Sequence, residues 1–193
     1  MFIFHDLKII YIQVPGTGSN SFQRGMQKYK CEMANIRRNH EVPKWTNIRY
    51  PSMVSHFIAK QAKALIDPDI WDSYEKIGFV RHPYKWVVTM YRKANTQRNF
   101  GISGSLDLSE FVRDIEKTNF YWFLDDDGNM LIDTVYRTED LDTTLFDKFG
   151  IKHNNIRSQN VHSSKLHTIS DLSEADKEII KKKFYREFEY YKD

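Results

Sequence analysis

Cysteine is almost missing from this chain: Cys31 is the only one among 193 residues. One thiol excludes an intramolecular disulfide framework and a cysteine-rich zinc site, and Cys31 reads as a small, partly buried residue with no chemistry of its own. Long apolar runs are missing too. No stretch approaches the roughly 20 residues needed to span a bilayer, and Met1-Phe2-Ile3-Phe4-His5-Asp6 lacks the basic-then-apolar order of a secretory signal. The expectation is a protein without a membrane anchor, resident in a reducing cytoplasm. Charge of one sign is also scarce, since 29 Lys and Arg against 26 Asp and Glu leave a formal +3. Such a balance permits a local site for an anion and excludes the strong basic bias of a nucleic-acid-binding domain. Repeats, low-complexity tracts and linker-like stretches are absent, so residues 1–193 read as a single domain.

What is present is an ordinary globular mixture, 40% hydrophobic and 28% charged, with 15% aromatic residues to fill a core and line a pocket. Lys8 to Val14 is a short, β-branched apolar run that stops at Pro15-Gly16, as a buried parallel strand does. Gly16-Thr17-Gly18-Ser19-Asn20-Ser21 forms a loop, and Phe22 to Lys30 follows with helical character. The same order returns at Ile77 to Val80, a second buried strand stopped by His82-Pro83, with a helix from Tyr84 to Ala94. Further helices are predicted over Ser55 to Ile66, Asp107 to Lys117, Thr138 to Gly150, and from an N-cap at Ser173 through Phe188. A short helical turn is expected near Ile70-Trp71. Asp125-Asp126-Asp127-Gly128-Asn129, flanked by Tyr121–Leu124 and Met130–Tyr136, predicts a β-hairpin. Strands alternating with helices imply an α/β three-layer sandwich around a mainly parallel sheet.

The Gly/Ser loop is the natural anion site, because its glycines admit a ligand close to backbone amides at a helix start. Alone it is also what any Gly/Ser turn capping a helix looks like. Arg81, at the end of the second strand, falls on the sheet edge where ligands of open α/β folds bind; alone it reads as a surface arginine paired with a carboxylate. Together, two phosphate-type sites at two strand ends point to a nucleotide carrying phosphates at both ends.

The run Tyr11-Ile12-Gln13-Val14-Pro15-Gly16-Thr17-Gly18-Ser19-Asn20-Ser21-Phe22 resembles the 5′-phosphosulfate loop of the sulfotransferases. Gly78-Phe79-Val80-Arg81-His82-Pro83-Tyr84 through Thr89 and Arg92 resembles their 3′-phosphate motif, in the form found in carbohydrate sulfotransferases of the Golgi and their bacterial relatives. The likeness continues through Gly128 to Leu141, Asn160 and the closing helix. It implies a P-loop NTPase-like fold and transfer of a sulfuryl group from 3′-phosphoadenosine 5′-phosphosulfate to an acceptor hydroxyl, on a carbohydrate or another hydroxyl compound, leaving 3′-phosphoadenosine 5′-phosphate. By position, Pro15, Gly16, Thr17, Gly18, Ser19, Asn20 and Ser21 would cradle the 5′ phosphosulfate, and Arg81 and Thr89 the 3′ phosphate. Arg137 and Glu139 resemble the family's Arg-x-Glu at a strand-to-helix junction, as ligand contacts or as an internal brace. His56 is the candidate general base, with His162 and His167 as further candidates near the adenine or acceptor. No metal is implied. The lack of an anchor, which the Golgi members carry, points to a bacterial or viral source.

One position departs from the pattern. The family has lysine after the loop proline, and this chain has Gly16. Either another cation replaces it, with Arg24 and Lys60 as candidates, or the protein is a weak or inactive module that binds the donor. A P-loop kinase is the other alternative, but it needs Gly-Lys-Ser/Thr where Ser19-Asn20-Ser21 stands.

Overall fold

The structure is a computed structural model that describes residues 1–29, 57–96, 107–151 and 167–191. Four strands form one sheet in the order β1-β2-β3-β4. Strand β1 (Phe2–Phe4) runs antiparallel to β2 (Ile9–Ile12), and β3 (Glu75–Val80) and β4 (Thr134–Arg137) continue it in parallel. The molecule is thus α/β with a mostly parallel mixed sheet.

The central strands are apolar throughout because both of their faces are covered. Ile10, Ile12 and Val80 enter one core with Trp86, Val87, Phe111, Val112, Phe123 and Ile180. Ile9, Tyr11, Ile77 and Phe79 enter a second with Phe22, Met26, Leu141, Leu145 and Phe149. Helices α1 (Ser19–Gly25) and α6 (Leu141–Phe149) supply the second core. Helices α2 (Ala59–Leu65), α4 (Pro83–Thr96), α5 (Leu108–Asp114) and α7 (Glu174–Lys183) supply the first. Helix α3 (Pro68–Ser73), capped by Asp67, adds Trp71 to that core, and α8 (Tyr185–Tyr190) closes the described chain. The fully buried ring of Phe123 lies against bare Gly78, where a Cβ would stand 2.4 Å from the ring. Among the described residues no helix is long and apolar enough to cross a membrane.

Three expectations change. Helix α1 begins at Ser19 rather than Phe22, so part of the Ser/Asn loop is already the first helical turn. The hairpin at Asp125–Asn129 is a capped turn with one antiparallel bridge, Leu124↔Met130, and β4 pairs with β3 instead. The Asp125 carboxylate accepts from the amides of Asp127 and Asn129 at 3.0 and 2.8 Å, and the two arms are joined by Asp125 N to Asn129 O at 3.0 Å and Leu131 N to Phe123 O at 2.8 Å. The flanking aromatics go to the core, with Phe120, Trp122 and Phe123 buried and Tyr121 exposed. Third, the single closing helix predicted from Ser173 through Phe188 is two, α7 and α8, which meet at Phe184. Lys183 donates to the carbonyls of Val112, Arg113 and Ile115 and so caps the end of α5.

Candidate functional site

The three parallel strands end along one sheet edge, with Ile12 level with Gly78 and Val80 level with Arg137. The chain leaves β2 through Val14-Pro15 and turns at Gly16 (φ +84°) and Gly18 (φ +78°) into α1. Every carbonyl of this turn is held from inside. Thr17 Oγ1 donates to Val14 O at 2.9 Å, and the buried Trp86 Nε1 donates to Pro15 O at 2.7 Å. Arg81 Nη1 donates to Gly16 O at 3.3 Å, and Thr138 Oγ1 lies 3.2 Å from Thr17 O and 2.8 Å from Val80 O. Ser21 N and Phe22 N already donate to Gly18 O at 2.9 and 3.0 Å, so with the carbonyls turned inward the amides before them are the loop's donors for a ligand.

Not all the side chains assigned to the loop point to a ligand. Thr17 is fully buried and its hydroxyl is spent on Val14. Ser19 Oγ is 3.4 Å from Val14 O and accepts from Tyr11 OH at 3.2 Å. Asn20 is exposed and lines an open groove with Phe2, Phe4, Gln23 and Arg24, on the side of α1 that faces β1. Ser21 is half-buried, and Pro15 is buried beside Trp86.

Arg81 is the hub. Its backbone is clamped by the fully buried Asn119, which accepts from Arg81 N and donates to Arg81 O, both at 3.2 Å. Its guanidinium reaches Thr89 Oγ1 at 3.1 Å as well as Gly16 O. Thr89 in turn donates to Lys85 O at 2.8 Å. Burial depresses the basicity of Arg81, Glu139 partly restores it, and Arg92 depresses it further. The structure therefore joins the loop, Arg81 and Thr89.

Arg137 takes another direction. It donates to Tyr190 O at 3.2 Å, and its guanidinium sits 5.0 Å from the Tyr191 ring centre, bracing β4 against the closing helix. Glu139 accepts from Tyr191 OH at 2.8 Å and His82 N at 3.4 Å, with Lys85 Nζ at 3.4 Å. Burial pushes the Glu139 carboxyl up, but these hydrogen bonds and the Lys85 charge outweigh it, so it stays below the ordinary carboxylate range.

His56 and His162 lie outside the described residues. His167 packs edge-on against Tyr91 of α4 and gives its carbonyl to Arg92. Of the cations considered in place of a loop lysine, Lys60 pairs with Asp126, and Arg24 stands in the groove beside Phe2 and Phe4. Sequence reasoning missed Trp86, Asn119 and Thr138, which hold the site together. Trp86 falls simply within the helix predicted from Tyr84 to Ala94, and Thr138 at the start of the one predicted to Gly150. It also missed Lys93 on α4, whose ammonium is depressed by burial and by the Arg81 charge. Among the described residues, no group of three or more His, Cys, Asp or Glu side chains is placed to hold a metal ion. No family model, curated protein or solved structure matches the chain.

Proposed function

We propose that the chain is a sulfotransferase of P-loop-like fold that takes a sulfuryl group from 3′-phosphoadenosine 5′-phosphosulfate and gives it to an acceptor hydroxyl, on a carbohydrate or a small hydroxyl compound. The observation that carries this reading is the double hydrogen bond of Arg81, to Gly16 O and to Thr89 Oγ1, because it makes one site of two motifs 65 residues apart in sequence. The residues suit a doubly anionic nucleotide. Arg92 acts on Arg81, and Arg81 on Lys93, as like charges, and among the described residues the carboxylate acting on Arg81 is Glu139, already shared with Lys85.

The donor would supply an electrophilic sulfuryl group on a phosphate leaving group. The amides from Thr17 to Asn20 and the Ser21 hydroxyl would hold its 5′ end, and Arg81 and Thr89 its 3′ phosphate. Preorganisation comes from the inward bonds of Trp86, Thr17 and Thr138, which fix the loop before any ligand arrives. Asn119 does the same for Arg81.

Thermal unfolding with 3′-phosphoadenosine 5′-phosphate, and with ATP plus magnesium as control, tests the reading. Ligand at about 100 times its dissociation constant adds roughly 2.7 kcal/mol of stability. A rise in midpoint with the bisphosphate and none with ATP-magnesium is expected. No rise at millimolar bisphosphate would remove the donor reading, and a rise only with ATP-magnesium would favour a kinase. A second reading, a donor-binding module without turnover, draws on Gly16, whose backbone disfavours the lysine found there in the enzymes this chain resembles. A sulfuryl-transfer assay on protein that binds the bisphosphate separates the two.

A further inference from the structure

The site lacks a cation in its loop but has one on the helix against which that loop packs. A Cβ on Gly16 would meet Thr89 Cγ2 and Met90 Sδ at 3.4 Å and Trp86 Cδ1 at 3.5 Å. Positions 86, 89 and 90 form one stripe of α4, and residue 93 is the next member of that stripe, three and four residues on. That residue is Lys93. It is half-buried, it feels the Arg81 charge, and among the described residues no carboxylate acts on it. Arg81 itself spans the gap between Gly16 O and Thr89 on this stripe. Partly burying a second cation beside an arginine is unfavourable unless an anion joins them.

We propose that Lys93 supplies, from α4, the positive charge that the loop lacks at position 16, and that it acts on the donor's 5′ phosphate. This rests on the donor reading above. Gly16 and Lys93 then form a compensating pair: the loop gives up its side chain to pack flat on the helix, and the next position of the same helix face carries the charge. A charge-assisted contact of this kind is worth about 10- to 100-fold in affinity.

Titration calorimetry with 3′-phosphoadenosine 5′-phosphate, and competition by adenosine 5′-phosphate, tests it on the wild type, Lys93→Met and Lys93→Arg. Lys93→Met is expected to weaken both nucleotides by about 10- to 100-fold, and Lys93→Arg to restore most of the loss. Without ligand, Lys93→Met should unfold at the same temperature as wild type or higher, since it removes a repulsion; a merely structural lysine would lower it. Unchanged affinity in Lys93→Met overturns the proposal while leaving the donor reading intact. Weakening of the bisphosphate alone also overturns it, because the contact would then be to the 3′ phosphate. A wild type that binds neither nucleotide overturns both.

Discussion

Gly16 shows how one residue couples backbone strain to chemistry. Its φ of +84° lies where a side chain crowds the backbone, at a cost of about 1–2 kcal/mol. Its missing Cβ also lets the loop lie on Thr89 and Met90 of α4. Gly16→Ala is therefore expected to lower stability by about 1–2 kcal/mol in urea unfolding, with bisphosphate affinity reduced because Arg81 anchors to Gly16 O. An alanine variant as stable as wild type would mean that the loop does not hold this conformation. Gly16→Lys incurs the same strain with a longer side chain against α4. Its effect on turnover is thus no clean measure of restored charge, and Lys93 is the better position at which to test the missing cation.

Among the elements, α7 is the one whose start the sequence states most directly. Ser173 Oγ accepts from Asp176 N at 3.1 Å, and the Asp176 carboxylate accepts from Ser173 N at 3.0 Å and from Ser109 Oγ at 2.9 Å. The box thus caps α7 and ties it to α5. Ser173→Ala is expected to cost about 1 kcal/mol, read as a lower unfolding midpoint, and Ser173→Thr to cost less. No difference between alanine and wild type would show the cap to be idle. Signals of this kind, local and made of neighbouring residues, are why Pro83, Ser173 and Gly150 marked their helix ends correctly. Strands β2 and β3 were legible for the same reason, as continuous apolar runs between breakers. The hairpin forms only at its tip, around Leu124 and Met130, because the choice of partner for β4 is made by β3, more than 50 residues earlier in the chain. In the site, the residue types of the loop, Arg81 and Thr89 could be read from their order. The inward bonds of Trp86, Asn119 and Thr138 could not, since an indole N–H or a buried amide carries no sequence mark of its acceptor. Lys93 was hidden likewise: its spacing from Thr89 is ordinary, and only the packing of Gly16 on that face gives it meaning.

At the scale of the whole molecule, the strand ends, the loop and the closing helix share one charged and aromatic junction. Tyr191 OH lies 2.8 Å from Glu139 Oε2 and 3.1 Å from Val80 O. His82 stands among the rings of Tyr84, Phe188 and Tyr191, and its buried Nδ1 has no partner among the described residues. Burial lowers the His82 pKa from 6.5, and Lys85 adds to that while Glu139 opposes it. The folded state therefore takes up this proton later than the unfolded chain does. Stability from this group is present above pH 6.5 and is lost as pH falls from there through the lower folded value. Glu139 follows the carboxylate rule, with its contribution present above pH 4.5 and lost as pH falls further through its depressed folded value. The first window opens at pH 6.5 and the second at pH 4.5, so the unfolding midpoint should fall in two stages, one beginning below pH 6.5 and a further one below pH 4.5. His82→Phe keeps a ring in the aromatic cluster and removes the orphaned nitrogen. It should abolish the first stage, leave the second, and lose nothing at pH 8. Glu139→Gln should do the reverse, flattening the second stage while lowering the midpoint at neutral pH, because Tyr191, Lys85 and the His82 amide lose a charged acceptor. If the decline below pH 6.5 persists undiminished in His82→Phe, the junction is not what makes the fold acid-sensitive.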